Sequence, residues 1–221
     1  MGLAPYGEPK YVDLIEKNLI HIKEDGSFRL NQDYFNYTTG LSMTNEKFHN
    51  LFGQKPRDSK KDKITQLHMD IASSIQSVTE DIMIKICKSL RKEFNIPNLC
   101  LAGGVALNCV ANGKILKEKI FEKIWIQPAA GDAGGSLGAA LAFWYLELKK
   151  NREVTSNDAM SGSYLGPYFD NEEIKNKLNN LGAKFEMLED DALIEKTAED
   201  LSKGNAIGWF QGTTNYNKKL Y

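Results

Sequence analysis

The stretch LAGGVALN, residues 101–108, joins an apolar run to helix-forming sequence through two adjacent glycines. The run over residues 99–102 is typical of a short buried strand, and Gly103 and Gly104 end it. The sequence from about residue 105 to residue 119 then predicts a helix. A strand, a tight glycine turn and a helix in this order form the basic unit of an α/β protein.

The segments on either side of this stretch repeat the pattern. Before it, apolar residues recur at spacings of three and four, which predicts a long helix with one buried face that ends near Pro97. These residues are Ile64, Leu67, Ile71, Ile75, Val78, Ile82, Ile86, Leu90 and Phe94. After it, residues 124–126 predict a second strand that stops at Pro128, and AAGDAGGSLGAALAFWYLELKK predicts a loop followed by a third helix. The predicted fold class is therefore α/β.

The remaining segments are predicted to lie outside this core. Residues 13–54 lack a period and are interpreted as an insertion that decorates the core. Residues 1–150 form the first predicted domain, and the polar segment 151–161 is a linker. Residues 162–221 begin a second α/β unit.

In this second unit, Asp170 is predicted to cap a helix that runs to Gly182, and DALIEKTAEDLSK predicts another helix. Residues 184–188 and 206–210 predict two strands. Two helices and two strands bury too little surface for an independent core, so we expect the second unit to be cut short.

Composition excludes several classes of partner. The 221 residues have a formal net charge of -1, 42% hydrophobic residues and 26% charged residues, so nothing indicates binding to nucleic acid or to an anionic membrane. No apolar run is long enough to span a bilayer, and the N-terminus lacks the features of a signal peptide. The three cysteines have no metal-ligand spacing and are predicted to be reduced and buried in a cytoplasmic protein.

The glycine turn has two interpretations that the pattern alone weights equally. A strand that ends in glycines and opens a helix exposes backbone amides at the positive end of the helix dipole, which suits phosphate or another anion. The alternative is a tight turn without a ligand. Two nucleotide motifs are excluded: a P-loop around Gly113 and Lys114 fails at Asn108 and Ile115, and the dinucleotide fingerprint fails at Val105.

A second group of glycines follows in GDAGGSLGAAL, where Gly131, Gly134, Gly135 and Gly138 share one face if the whole segment is helical. Such a face lets another backbone or a flat ligand approach closely. Asp132 stands at the head of this helix, either as its N-cap or as one carboxylate ligand of a metal. No GxSxG nucleophile pattern occurs, and the three histidines are too scattered to suggest a metal site.

Several long motifs in one order resemble a known family. They are MGLAPYG, QLHMDIASSIQSVTEDI, NLCLAGGVALNCVANGKI, IWIQPAAGDAGGSLGAAL, GSYLGP and GWFQG. Together they resemble the carbamoyltransferases that include nodulation protein U and the enzymes of cephamycin and tobramycin biosynthesis. The resemblance covers nearly the whole chain up to Gly212.

The resemblance implies a fold and a reaction. Residues 1–150 would be the second half of an actin-like ATPase domain of the Kae1-like type, and residues 162–221 would be the start of a YrdC-like domain. Family members use carbamoyl phosphate and ATP to form carbamoyl adenylate, with release of pyrophosphate. They then transfer the carbamoyl group to a hydroxyl of an acceptor, often a sugar, with the help of a bound divalent iron or another divalent metal.

The same resemblance assigns roles to residues. Gly103 and Gly104 would lie against the adenylate, and Asn108 would contact its phosphate or ribose. Gly134 and Gly135 would also line the cofactor site. Asp132 would be the aspartate ligand of the metal.

The resemblance also differs from the family pattern at both ends. The HxxxH metal motif that precedes MGLAPYG in the family is absent here, and so is the family's arginine-containing run after GWFQG. We therefore expect a fragment that has no turnover alone. Two alternatives stay open, namely a nucleotide-binding module completed by a separate N-terminal half and a sugar kinase of the actin-like fold.

Overall fold

A computed structural model describes residues 1–154, 158 and 160–210 of the chain. The backbone divides into two compact units, Met1–Asp132 and Ala133–Tyr221. The domain boundary that the sequence predicts near residue 150, with its linker at 151–161, stays a prediction. None of the helices within the described ranges is long and apolar enough to cross a membrane.

The first unit is organised around helix α3, Gln66–Phe94. The helix begins after Thr65, whose side chain and backbone pair reciprocally with His68 in a capping box, and it ends at Asn95 in the left-handed conformation. Strand β3 (Asn98–Leu101), helix α4 (Cys109–Lys117) and strand β4 (Lys123–Ile126) follow. This confirms the predicted order of helix, strand, helix and strand and the α/β class.

Strands β3 and β4 are parallel, with Leu99 opposite Ile124 and Leu101 opposite Ile126. Their inward side chains pack on a core that contains Cys87, Ile115 and Phe121. Ile115 is completely buried. Helices α3 and α4 both supply residues to this core, Cys87 and Ile115 respectively.

The prediction that residues 13–54 only decorate the core is wrong, because this segment packs into it. Helix α1 (Val12–Asn18) and the antiparallel hairpin of β1 (Ile20–Ile22) and β2 (Phe28–Leu30) lie here, followed by helix α2 (Glu46–Leu51). Ile15, Leu19 and Ile20 form a buried cluster with two residues of α3. The segment therefore supplies three of the five buried residues of this hydrophobic cluster and does not merely decorate a core.

The predicted buried face of α3 is also partly wrong. Val78 and Ile82 are buried, but Ile75 is half exposed, while Asp70 and Ser74 are buried. The reason is that the N-terminal segment docks on this part of α3 through polar contacts. The Glu8 amide donates to Asp70 and the Tyr11 amide donates to Ser74, each over 2.9 Å.

The second unit contains three α-helices within the described residues, α5 (Gly135–Ala142), α6 (Asn171–Asn180) and α7 (Asp190–Ser202). α5 continues into a π-helical turn, Phe143–Glu147. Asp170 caps α6 as predicted, because its side chain accepts a hydrogen bond from the Glu173 amide over 2.8 Å.

The strands predicted at 184–188 and 206–210 do not form. Both runs are apolar enough for strands, but a strand also needs a hydrogen-bonded neighbour, and neither run has one among the described residues. Residues 211–221 of the predicted second domain lie outside the described residues.

Candidate functional site

The glycine turn lies directly after strand β3. Gly103 has φ 97° and ψ 166°, a backbone conformation that is almost restricted to glycine. Its amide donates to the carbonyl of Ala130 over 2.8 Å. A short 3₁₀ helix, Gly104–Leu107, follows, and Asn108 separates it from α4. The continuous helix predicted over 105–119 is therefore broken at Asn108.

The loops after β3 and β4 meet at one edge of the parallel sheet. The Gln127 amide donates to the Leu101 carbonyl over 3.1 Å, and the Gly103 amide reaches Ala130. A Cβ atom built on Gly131 would lie 3.8 Å from the Cα of Gly104. In open α/β sheets, ligands bind outside the carboxyl ends of the strands, and both glycine loops lie at that edge here.

The backbone conformation requires glycine at position 103 but not at position 104. The φ of Gly103 explains that residue without any ligand. Gly104 does not have a positive φ, and a Cβ atom built there meets no atom within 4 Å. Neither backbone strain nor crowding by the described residues therefore requires glycine at position 104. Gly104 is exposed, so the backbone of the turn is accessible to solvent at this position.

Asn108 is buried at the N-cap of α4. The sequence predicted it on the first turn of the helix, but it lies one position before that turn. Its Oδ1 accepts a hydrogen bond from the Ala111 amide over 3.2 Å. Oδ1 also accepts from Gln76 Nε2, and its own Nδ2 donates to Gln76 Oε1, each over 3.0 Å. The side chain predicted to contact the ligand is thus engaged within the fold.

Asp132 opens a short 3₁₀ turn, Asp132–Gly134, and is exposed. It is not the N-cap of α5, because Gly134 occupies that position. In the part of the chain that the structure describes, no group of three His, Cys, Asp or Glu residues could hold a metal ion.

The second glycine group is only partly helical. Gly131 precedes the 3₁₀ turn, so the segment is not helical throughout, and the condition for one shared helix face is not met. Gly134 and Gly135 belong to the second unit, at the start of α5, and Cβ atoms built on Gly135 and Gly138 meet no atom within 4 Å. The role of Gly134 and Gly135 as cofactor contacts stays a prediction.

Sequence reasoning missed a polar group behind Asn108. Gln76 Nε2 donates to Glu80 Oε1 over 2.6 Å, and the buried Glu80 forms an ion pair with Lys114 of α4. Gln76 and Glu80 are four residues apart, so they lie on the same side of α3. That spacing is the one signal in the sequence, but it does not reveal the partners on α4.

The cysteines correct another expectation. Cys87 is buried, and burial raises the pKa of its thiol. Cys100 and Cys109 are exposed, although their apolar neighbours predicted burial. Cys100 projects from the face of β3 opposite the buried Leu99 and the partly buried Leu101, which follows from the two-residue period of a strand.

Comparison with known proteins identifies the family. A family model described as Carbamoyltransferase N-terminus matches residues 1–141. The uncharacterized protein sll1178 of Synechocystis sp. is 57% identical over 214 residues, which are 96% of this chain and 35% of that protein. Nodulation protein NolO of Bradyrhizobium diazoefficiens is 31% identical over 217 residues, 98% of this chain and 37% of NolO. Nodulation protein NolNO of Sinorhizobium fredii is 32% identical over 218 residues, 98% of this chain and 30% of NolNO.

The fold and the turn define an α/β protein with a bare glycine turn at the carboxyl edge of a parallel strand pair. With a match over 141 of its 221 residues, the chain belongs to the carbamoyltransferase family. This confirms the family that the sequence motifs resemble. The chain spans about a third of the length of the curated relatives that it matches.

Proposed function

We propose that this chain supplies the adenylate-binding face of an O-carbamoyltransferase. The whole enzyme uses carbamoyl phosphate and ATP, passes through carbamoyl adenylate and transfers the carbamoyl group to a hydroxyl of a small-molecule or sugar acceptor. The observation that supports this proposal is Gly104, an exposed glycine that neither its own conformation nor crowding by the described part of the chain requires. Membership of the carbamoyltransferase family supports the type of group transferred.

The geometry of the turn suits the phosphate of an adenylate. The backbone is bare at Gly104, and the start of α4 lies a few residues further along the chain. Unpaired amides near a helix N-terminus attract anions, and no side chain at position 104 keeps a ligand at a distance. In the transfer step, the acceptor oxygen attacks the carbamoyl carbon, the bond to the AMP oxygen breaks and the hydroxyl loses its proton. Backbone donors near the phosphate would stabilise the departing AMP.

The structure changes the role that we propose for Asn108. Both of its polar side-chain atoms are engaged by Gln76, and Oδ1 also caps α4. We therefore propose that the backbone of the turn contacts the adenylate and that Asn108 supports the turn. Gly134 and Gly135 remain proposed additional contacts.

The other assignments are parts of the same proposal. Residues 1–150 belong to a Kae1-like domain of the actin-like class, and residues 162–221 begin a YrdC-like domain in a cytoplasmic enzyme. Asp132 contributes one ligand to a divalent iron or another divalent metal, and the remaining ligands come from outside the described residues. We expect no turnover from the chain alone.

A calorimetric titration of the chain with AMP and with ATP tests the proposal. The informative variant is Gly104→Val, which adds its side chain where a Cβ atom meets nothing within 4 Å. The matched control is Gly113→Val in α4, where a Cβ atom likewise meets nothing within 4 Å. Thermal unfolding of both variants checks that the fold is retained.

We expect AMP to bind the unaltered chain and Gly113→Val with equal affinity. Gly104→Val should bind at least about tenfold more weakly, because a valine on the turn displaces the ligand from the backbone donors. Equal binding by all three proteins would refute the placement of the adenylate on this turn. Absence of binding to the unaltered chain would refute the proposal that this chain holds a working adenylate face.

A further inference from the structure

A chain of polar contacts runs from the interior of α3 to the start of α4. Glu80 Oε1 accepts a hydrogen bond from Gln76 Nε2 over 2.6 Å. Gln76 and Asn108 then exchange two hydrogen bonds, each of 3.0 Å, and Asn108 Oδ1 receives the Ala111 amide. Glu80 is 5% exposed and Asn108 is 7% exposed, so water competes weakly for these contacts.

The chemistry of Glu80 fixes the direction of this chain. An ionised carboxylate only accepts hydrogen bonds, and Glu80 forms an ion pair with Lys114. The amide group of Gln76 must therefore turn its NH₂ toward Glu80, and its carbonyl oxygen is left for the NH₂ of Asn108. Asn108 consequently directs its own oxygen toward the Ala111 amide, which is the orientation that caps α4.

The same elements hold the glycine turn. The Asn108 amide donates to the Val105 carbonyl over 2.9 Å, which closes the 3₁₀ helix that begins at Gly104. Asn112 of α4 donates through Nδ2 to the Ala106 carbonyl over 2.7 Å, and Ala106 is buried. The backbone of the turn is thus anchored to α4, and α4 is anchored to α3 through Asn108.

We propose that Gln76 is a positioning residue for the glycine turn, acting through Asn108, with Glu80 setting the orientation of both amides. The nucleotide part of this inference rests on the proposed function. An apolar pair could fill the same space between α3 and α4, but it could not specify which way the Asn108 side chain points. Buried polar networks in which every member is paired provide this kind of orientation.

The test compares two leucine variants of the same helix in the full chain. Gln76→Leu removes both contacts to Asn108, and Gln66→Leu removes contacts to Asp70 and Tyr6 at the far end of α3. Two quantities are measured for each variant, the hydrogen-exchange rate of the Ala111 amide relative to the interior amides of α3 and the dissociation constant for AMP. Glu80→Gln is a second variant of nearly identical shape, and it is informative even if Gln76→Leu fails to fold.

We expect Gln76→Leu to raise the relative exchange rate of the Ala111 amide and the dissociation constant for AMP, each by about tenfold. Glu80→Gln should change both in the same direction because it removes the acceptor-only group that orients Gln76. Gln66→Leu should change neither. If Gln76→Leu or Glu80→Gln instead raised the hydrogen-exchange rates of all amides in α3 and α4 equally, Gln76 would contribute only to general stability. That result would overturn the inference.

The two measurements separate this inference from the proposed function. If the unaltered chain does not bind AMP, the proposed function fails, and the exchange rates alone decide whether Gln76 positions the turn. If AMP binds the unaltered chain and Gln76→Leu with the same dissociation constant, the glycine turn does not depend on Gln76. The inference then fails, while the proposed function stands.

Discussion

Gly7 in the motif MGLAPYG should be essential for docking the N-terminal segment on α3. A Cβ atom built on Gly7 would lie 2.1 Å from both the carbonyl carbon and oxygen of Met69, and 2.5 Å from the amide nitrogen of Asp70. Ordinary contacts between carbon atoms are about 3.5–4.0 Å, so Gly7→Ala must move the segment by roughly 1.5 Å. The atoms that it meets belong to the backbone of a long helix and cannot turn away.

The expected cost follows from the contacts that this movement disturbs. Overpacking costs about 1–3 kcal/mol, and loss of the hydrogen bond from the Tyr11 amide to the buried Ser74 adds about 1 kcal/mol. We therefore expect Gly7→Ala to lower the free energy of unfolding by about 2–4 kcal/mol and the melting temperature by about 10 °C.

Thermal unfolding followed by circular dichroism measures this effect. Gly2→Ala is the matched control in the same motif, because a Cβ atom built on Gly2 meets no atom within 4 Å. Its free energy of unfolding should change by less than about 0.5 kcal/mol. If the two variants were equally stable, Gly7 would not lie against the backbone of α3, and the N-terminal segment would not dock on that helix.

Two further predictions concern the core and acid stability. Ile115 of α4 is fully buried in the core below the strand pair, so Ile115→Ala should lower the free energy of unfolding by about 2–5 kcal/mol. A denaturant titration measures this loss, and a value below about 1 kcal/mol would contradict the packing. Hydrogen bonds lower the pKa of Asp70 below its ordinary value; the Glu8 amide has the largest effect, and Gln66 and Lys10 add smaller ones. The ionised Asp70 therefore stabilises the fold above about pH 4. This contribution is lost as the pH falls through the lowered pKa. Asp70→Asn should therefore flatten the decline in melting temperature below pH 4, whereas an unchanged acid slope would show that Asp70 is not held by these contacts.

The sequence predicts the centre of the first unit because its signals are local. A helical period identifies α3, and Asn95 and Pro97 mark its end within two residues. The apolar run before Gly103 identifies β3, and its glycine pair places the turn at the carboxyl end of the strand. Each of these signals depends on neighbours along the chain, which a sequence displays directly.

The errors arise where distant residues decide the structure. Asp70 and Ser74 are buried because Glu8 and Tyr11, more than 60 residues away, donate hydrogen bonds to them. Asn108 turns toward Gln76, which is 32 residues away.

The predicted strands at 184–188 and 206–210 fail for a related reason. Strand formation requires a paired neighbour, and an apolar run alone does not supply one. No local pattern could have revealed these outcomes.

The backbone amides that respond to nucleotide would show where the adenylate binds. Amide chemical shifts of the isotopically labelled chain, recorded during titration with AMP, report on each residue separately. We predict that the largest changes occur at Gly103 and Gly104 and in the adjoining residues 105–107 and 130–131, with no change in the hairpin of β1 and β2. Saturable changes confined to other parts of the chain would contradict the account, because the adenylate would then bind away from the glycine turn.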